Sequence, residues 1–148
     1  MRFNLSSAEV ALLRLTFWEA NADAKAFAAA LTERLGILAP GIQAQLPRSL
    51  EHCVRDAIAD IEAALMVAHE QDQLQGAVER LTSWYYKYNL LPHEAHMFRE
   101  SLLLTLESRL QRSFDAAKRS IWRKASNEVS TNAQLNWCEN YRRGIAAA

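Results

Sequence analysis

Residues 49–68 read SLEHCVRDAIADIEAALMVA, and their spacing decides the fold class. Val54, Ile58, Ile61, Leu65 and Ala68 recur at intervals of four and three. That period puts them on one face of a long α-helix beginning near Ser49. The same period extends in both directions. Upstream, Pro40 suits the first turn of a short helical segment that reaches Leu46, and Pro47 breaks it. Before it, Asn21 is a cap for a second helix with Asp23 in its first turn, running through Phe27 and Leu31 to Leu35, where Gly36 stops it. Ser6 and Glu9 form a capping box ahead of Val10, Leu13, Phe17 and Trp18, one face of a first helix.

Downstream, helix or turn resumes after Gln71-Asp72 with Leu74, Val78, Leu81, Trp84, Tyr85 and Tyr88, until Asn89 and Pro92. A penultimate helix is read over about 93–112, and a last one from Phe114-Asp115 towards Arg142. No stretch alternates as a strand does, so the expectation is an all-α fold of six to eight helices. The short segment after a proline, the long helix behind it and two long antiparallel helices at the end do not suit a four-helix bundle. They suit two layers of three helices crossing steeply, with a pocket between the layers.

Composition narrows the function classes. The 148 residues suit one domain over 1–148, and half of them are hydrophobic, enough for a single core. Seventeen basic residues balance seventeen acidic ones. That balance removes the electrostatic case for nucleic acid or an anionic membrane as main partner. Two cysteines, Cys53 and Cys138, cannot build a disulfide framework, so a reducing, cytoplasmic location is expected. No run approaches the roughly 18 apolar residues of a membrane helix. Glu9, Arg14 and Glu19 interrupt the first apolar stretch, so no signal segment is read there. With only four glycines and three prolines, a phosphate-cradling Gly-rich loop is not expected. The alanines at 146–148 read as a frayed terminus.

Several short stretches, in order, resemble bacterial single-domain globins and the globin domain of flavohaemoglobins. Ser49-Leu50-Glu51-His52 looks like the start of the distal helix. Tyr85-Tyr86-Lys87-Tyr88-Asn89-Leu90-Leu91-Pro92 is similar to the end of the proximal helix and its turn, where the family usually reads His-Val-x-x-Gly-Val-x-Pro. Ser101 to Glu107, and Phe114 to Ala125 with Trp122, are similar to the last two helices. The resemblance covers nearly the whole chain and implies a globin-like domain with a haem-sized pocket. It does not by itself imply haem, because function belongs to the site.

Residue by residue, the haem hallmarks are missing. The proximal histidine's position holds Tyr85, or Tyr86 if the turn carries one inserted residue. The phenylalanine that wedges the haem is replaced by Leu46, and the oxygen-donating tyrosine of the second helix by Ala28. The tyrosine and glutamate that brace the proximal histidine fall at Ser126 and Trp137. Only His52, at the distal position, keeps a family-like residue. A phenol must deprotonate to ligate and then favours ferric iron, whereas neutral imidazole serves ferrous haem. A chain that gave up histidine ligation would also have no use for its brace.

Two readings stand side by side for each candidate. Tyr85 is an iron ligand, as tyrosinate is in catalases, or one of an aromatic cluster with Trp84, Tyr86 and Tyr88. His52 is a distal or sole axial ligand, or an ordinary histidine at a pocket mouth. His93 and His96, with Glu94, have the spacing of a two-histidine metal site but lack a third convergent ligand. His69-Glu70 reads as a solvated helix end. Cys53 lies about 100° around the helix from His52, which argues against a Cys/His nucleophile pair. Arg109, Arg112, Lys118, Arg119, Arg123 and Lys124, with Arg142-Arg143, read as a solvated basic face. No acid–base pair converges at a recognisable spacing, so enzymatic activity is the least supported class.

The pocket residues implied are therefore His52, Tyr85, Tyr86, Leu46, Ala28 and Trp122, with no cofactor expected. The leading function is a haem-free globin-like protein acting as a small-ligand sensor or a protein-interaction module. One alternative is a haem globin for a diatomic gas, with Tyr85 or His52 on the iron. Another is a ligand-free structural dimer through the last two helices. In the haem-free case, side chains must refill the cavity. Tyr85 or Tyr86 is expected to point into it and to find a partner for its hydroxyl such as His52, aided by Trp84, Tyr88, Phe98, Trp122, Leu65 and Met66.

Overall fold

The computed structural model describes residues 5–67 and 92–127, and every element among them is helical. The first helix, α1 (Ser7–Ala20), starts where the sequence places it. Glu9 N–H donates to Ser6 Oγ at 3.1 Å, and Ser6 N–H donates to Glu9 Oε1 at 3.0 Å. Leu5 and Val10, both buried, occupy the positions of a hydrophobic staple around this cap. The hydrogen bond from the Ser6 backbone is the main cause that holds the Glu9 carboxyl below the usual glutamate range. A carboxyl lowered in the folded state adds stability above the ordinary glutamate range, and that stability fades as the pH falls through it. Ser6→Ala is expected to cost about 1 kcal/mol in denaturant titrations at pH 7. Glu9→Gln should lose less stability on acidification than the wild type, since it no longer carries the carboxyl.

Val10, Leu13, Thr16, Phe17 and Ala20 form the buried face of α1. Trp18, expected on that face, is 53% exposed. It sits one residue on from Phe17 and so turns about 100° away. The next junction also differs in detail from expectation. Asn21 closes α1, its N–H donating to Phe17 O at 2.8 Å. Asp23 then caps α2 (Ala24–Leu38), its carboxylate accepting from Ala26 N–H at 3.1 Å. Ending one helix and starting the next takes two polar residues here, and the sequence reading allotted one. Gly36 does not stop α2, which continues to Leu38. Its φ is not positive, so it is an ordinary helical residue rather than a left-handed cap.

Ala39 ends α2, and Ile42–Gln45 form the expected short segment as one 3-10 turn. Gln43 braces the corner that follows. Its Nε2 donates to Arg48 O at 3.2 Å, and its Oε1 accepts from Leu50 N–H at 2.8 Å. Ser49 lies outside the long helix and caps it, Oγ accepting from His52 N–H at 3.2 Å. The helix itself is α3 (Leu50–Val67). Val54, Ile58, Ile61 and Leu65 face inward as their spacing requires, with Cys53, Ala57 and Ala64 beside them. Met66, expected to help fill the pocket, is 55% exposed. Ala68 and the segment read over 71–89 lie outside the described residues.

Pro92 opens α4 (Pro92–Leu110), which starts one residue earlier and ends two earlier than the reading of 93–112. A 3-10 turn at Gln111–Ser113 follows, with Gln111 in the left-handed region at φ 50°. Asp115 caps α5, which spans 116–127 within the described residues, by accepting from Lys118 N–H at 2.9 Å. The described residues thus hold five α-helices and two 3-10 turns, and no helix among them is long and apolar enough to cross a membrane.

Helix α2 is central. It packs mainly on α4 and α3, and α1 packs on both of these. One hydrophobic cluster joins them, including Phe17 and Phe27 edge to face at 6.1 Å and 81°. Thr16, Ser101 and Thr105 are also buried there, and their hydroxyls donate to Leu12, Met97 and Ser101 carbonyls one turn back. Directional links between helices lie nearer the rim. Arg14 Nε donates to Leu65 O at 2.8 Å, Ser113 Oγ to Glu19 at 2.6 Å, and Lys124 approaches Glu9 at 3.7 Å.

Candidate functional site

Of the six candidate pocket residues, the structure gathers three into one core. Ala28, on α2, and Trp122, on α5, are buried members of the hydrophobic cluster, and Leu46 packs against it from the corner before α3. Phe98 and Leu65, expected to fill the pocket, belong to the same cluster. Ser126, which the resemblance aligns with a bracing residue, is buried four residues after Trp122 on α5. Trp122 Nε1 is buried and has no hydrogen-bond partner among the described residues. Trp84, Tyr85, Tyr86, Tyr88 and Trp137 lie outside the described residues, and so do His69, Glu70, Cys138, Arg142 and Arg143.

His52 stands apart from that core. Its side chain is 42% exposed on α3, with Nε2 at 3.2 Å from Arg48 Nη1 and 3.4 Å from Asp56 Oδ2. Next to it, Arg55 pairs with Glu51 at 2.9 Å, giving α3 a charged outer ladder. The period that buries Val54 and Ile58 turns His52 outward. Cys53, about 100° around the helix, is fully buried, so the pair does not converge.

A groove of about 500 Å³ opens between the start of α2 and the middle of α3. Asn21, Ala24, Lys25 and Ala28 line it from one side, and Arg55, Ile58, Ala59 and Glu62 from the other. Among the described residues, Ala28 is the candidate residue that lines it. The remainder of this lining was missed in the sequence. Its only signal there is the pair of alanines at 24 and 28, four apart on a helix that crosses another. Small side chains at such a crossing leave room, but the same pattern serves close packing equally well.

The remaining candidates resolve into structural contacts. His93 and His96 are both exposed, and no group of His, Cys, Asp or Glu among the described residues is arranged to hold a metal ion. His96 Nδ1 meets Arg99 Nη2 instead. Arg99 ties α4 to α5 by donating to Asn127 Oδ1 at 2.6 Å, and it also pairs with Glu100 at 3.2 Å. The basic face is partly neutralised. Lys118 pairs with Glu19, Arg119 with Glu107, Arg123 with Glu100 and Lys124 with Glu9. Arg119 also lies over the Phe114 ring at 5.6 Å. Among known proteins, neither the family models nor the curated sequences contain a match to this chain.

Proposed function

We propose that the chain is a globin-like helical protein with a haem-free pocket. It works by binding a small apolar ligand or a protein partner rather than by gas chemistry at iron. The observation that carries this reading is the state of the haem-contact positions. Ala28 and Trp122 are buried among core side chains with Leu46 against them, and His52 is engaged at the surface by Arg48 and Asp56. The helical order supports the globin-like part of the reading. Two helices, a 3-10 turn and a long helix precede two further helices, and α2 packs on both α3 and α4. A preformed apolar space that has lost its cofactor must be filled by side chains, a ligand or a partner.

The test is haem itself. Protein expressed with ample haem supply is expected to purify colourless, without the intense Soret absorption of a bound porphyrin. Added hemin should not survive gel filtration as a stoichiometric complex. A stable complex whose spectrum changes in Tyr85→Phe or His52→Ala, and not in His93→Ala or His96→Ala, would reverse the reading in favour of an unusual axial ligand.

A further inference from the structure

We propose that His52 exchanges partners with its protonation state at the corner leading into α3. When neutral it accepts from Arg48. When protonated it donates to Asp56 and releases the guanidinium. Both partners meet one ring nitrogen. Nε2 lies 3.2 Å from Arg48 Nη1 and 3.4 Å from Asp56 Oδ2. A guanidinium only donates and an ionised carboxylate only accepts. A ring nitrogen carries either a lone pair or a proton, so it cannot satisfy both neighbours in one state. The two contacts are therefore alternatives.

The surroundings favour an exchange over a rupture. The corner backbone is held by groups that do not titrate in this range, the Gln43 amide at Arg48 O and Leu50 N–H and the Ser49 hydroxyl at His52 N–H. The element before α3 thus keeps its course while the Arg48 side chain changes its anchor. Among the described residues, the charged groups paired with the ring are Arg48 from the corner and Asp56 from α3, while Glu51 and Arg55 of α3 satisfy each other. His52 and Asp56 are 42% and 47% exposed, so solvent protons reach the pair directly. On protonation of the ring, the corner beside Leu46 goes from holding Arg48 against the helix to presenting it to solvent. This differs from iron ligation at His52 and rests on the haem-free reading, in which Nε2 is not an iron ligand.

The experiment uses the full chain labelled with ¹⁵N-histidine and ¹⁵N-arginine, with His52 assigned from His52→Gln. Long-range ¹H–¹⁵N correlation reports which ring nitrogen carries the proton. Above its titration, the His52 ring is expected to carry the proton on Nδ1, and Arg48→Gln should transfer it to Nε2. On acidification the Arg48 guanidinium signals should follow the His52 titration, and they should stay still in His52→Gln. A neutral wild-type ring protonated on Nε2 would overturn the proposal, as would Arg48 signals indifferent to His52.

Discussion

Phe27→Ala is expected to destabilise the protein by about 3–5 kcal/mol, the range for deleting a fully enclosed aromatic ring. Phe27 has no exposed surface and lies on α2, the helix that touches both α3 and α4. Its ring meets Phe17 of α1 edge to face, so the truncation opens a void where α1, α2 and their neighbours converge. Domains of this size are stable by roughly 5–15 kcal/mol, so the variant would stand near the folding threshold. Urea titrations followed by far-ultraviolet circular dichroism measure the loss. A double-mutant cycle with Phe17→Ala should show a coupling of about 0.5–1.5 kcal/mol, the worth of the ring pair beyond its burial. A loss below about 1 kcal/mol would mean that the ring is not enclosed.

Trp122→Ala is the second large effect, and it separates a core role from a binding role. As a core member on α5, Trp122 should cost about 3–5 kcal/mol on truncation in the ligand-free protein. Trp122→Phe should cost less than half of that, because most of the ring volume remains. Its indole nitrogen has no hydrogen-bond partner among the described residues, so exchanging it for carbon breaks no bond within that set. Had Trp122 walled an open cavity, Trp122→Ala would leave stability nearly unchanged and would alter ligand affinity instead. Thermal and urea unfolding of the two variants distinguish these outcomes.

The parts of the fold that the sequence discloses are the ones written in local chemistry. Ser6 and Glu9 are three apart with an apolar run behind them, and no distant contact was needed to read their cap. The inward face of α3 follows from period alone. Where a decision depends on neighbours, local reading falters. Trp18 is as apolar as Phe17, but only one of two adjacent helical residues can face a given partner. Asn21 and Asp23 are both good caps, and the choice between them depends on where α1 needs to end. Gly36 ends helices only when its φ turns positive, which no local pattern requires.

The site was far less legible than the fold. Ala28 and Leu46 were singled out because the resemblance places haem contacts there, and Trp122 as a side chain to refill the pocket; the structure brings all three to one core. The same family pattern puts His52 towards a ligand, whereas among the described residues it meets Arg48 and Asp56. Those partners sit four residues to either side and were visible in the sequence as charges at helical spacing. The groove between α2 and α3 is lined from both helices, and neither encodes it alone.

The buried hydroxyls of Thr16, Ser101 and Thr105 have a consequence for how this molecule can vary. Each bonds a carbonyl of its own helix, so none imposes a direction on the helix opposite. At these positions the interior therefore distinguishes neighbours by volume and shape alone. The instructions for orientation are held at the perimeter, where Glu9, Arg14 and Glu19 of α1 reach α3, α5 and the turn after α4. Such a protein can drift in its interior sequence while its helices keep their seating. The polar side chains along its edges set which helices meet, and most of the stability stays with enclosed rings such as Phe27.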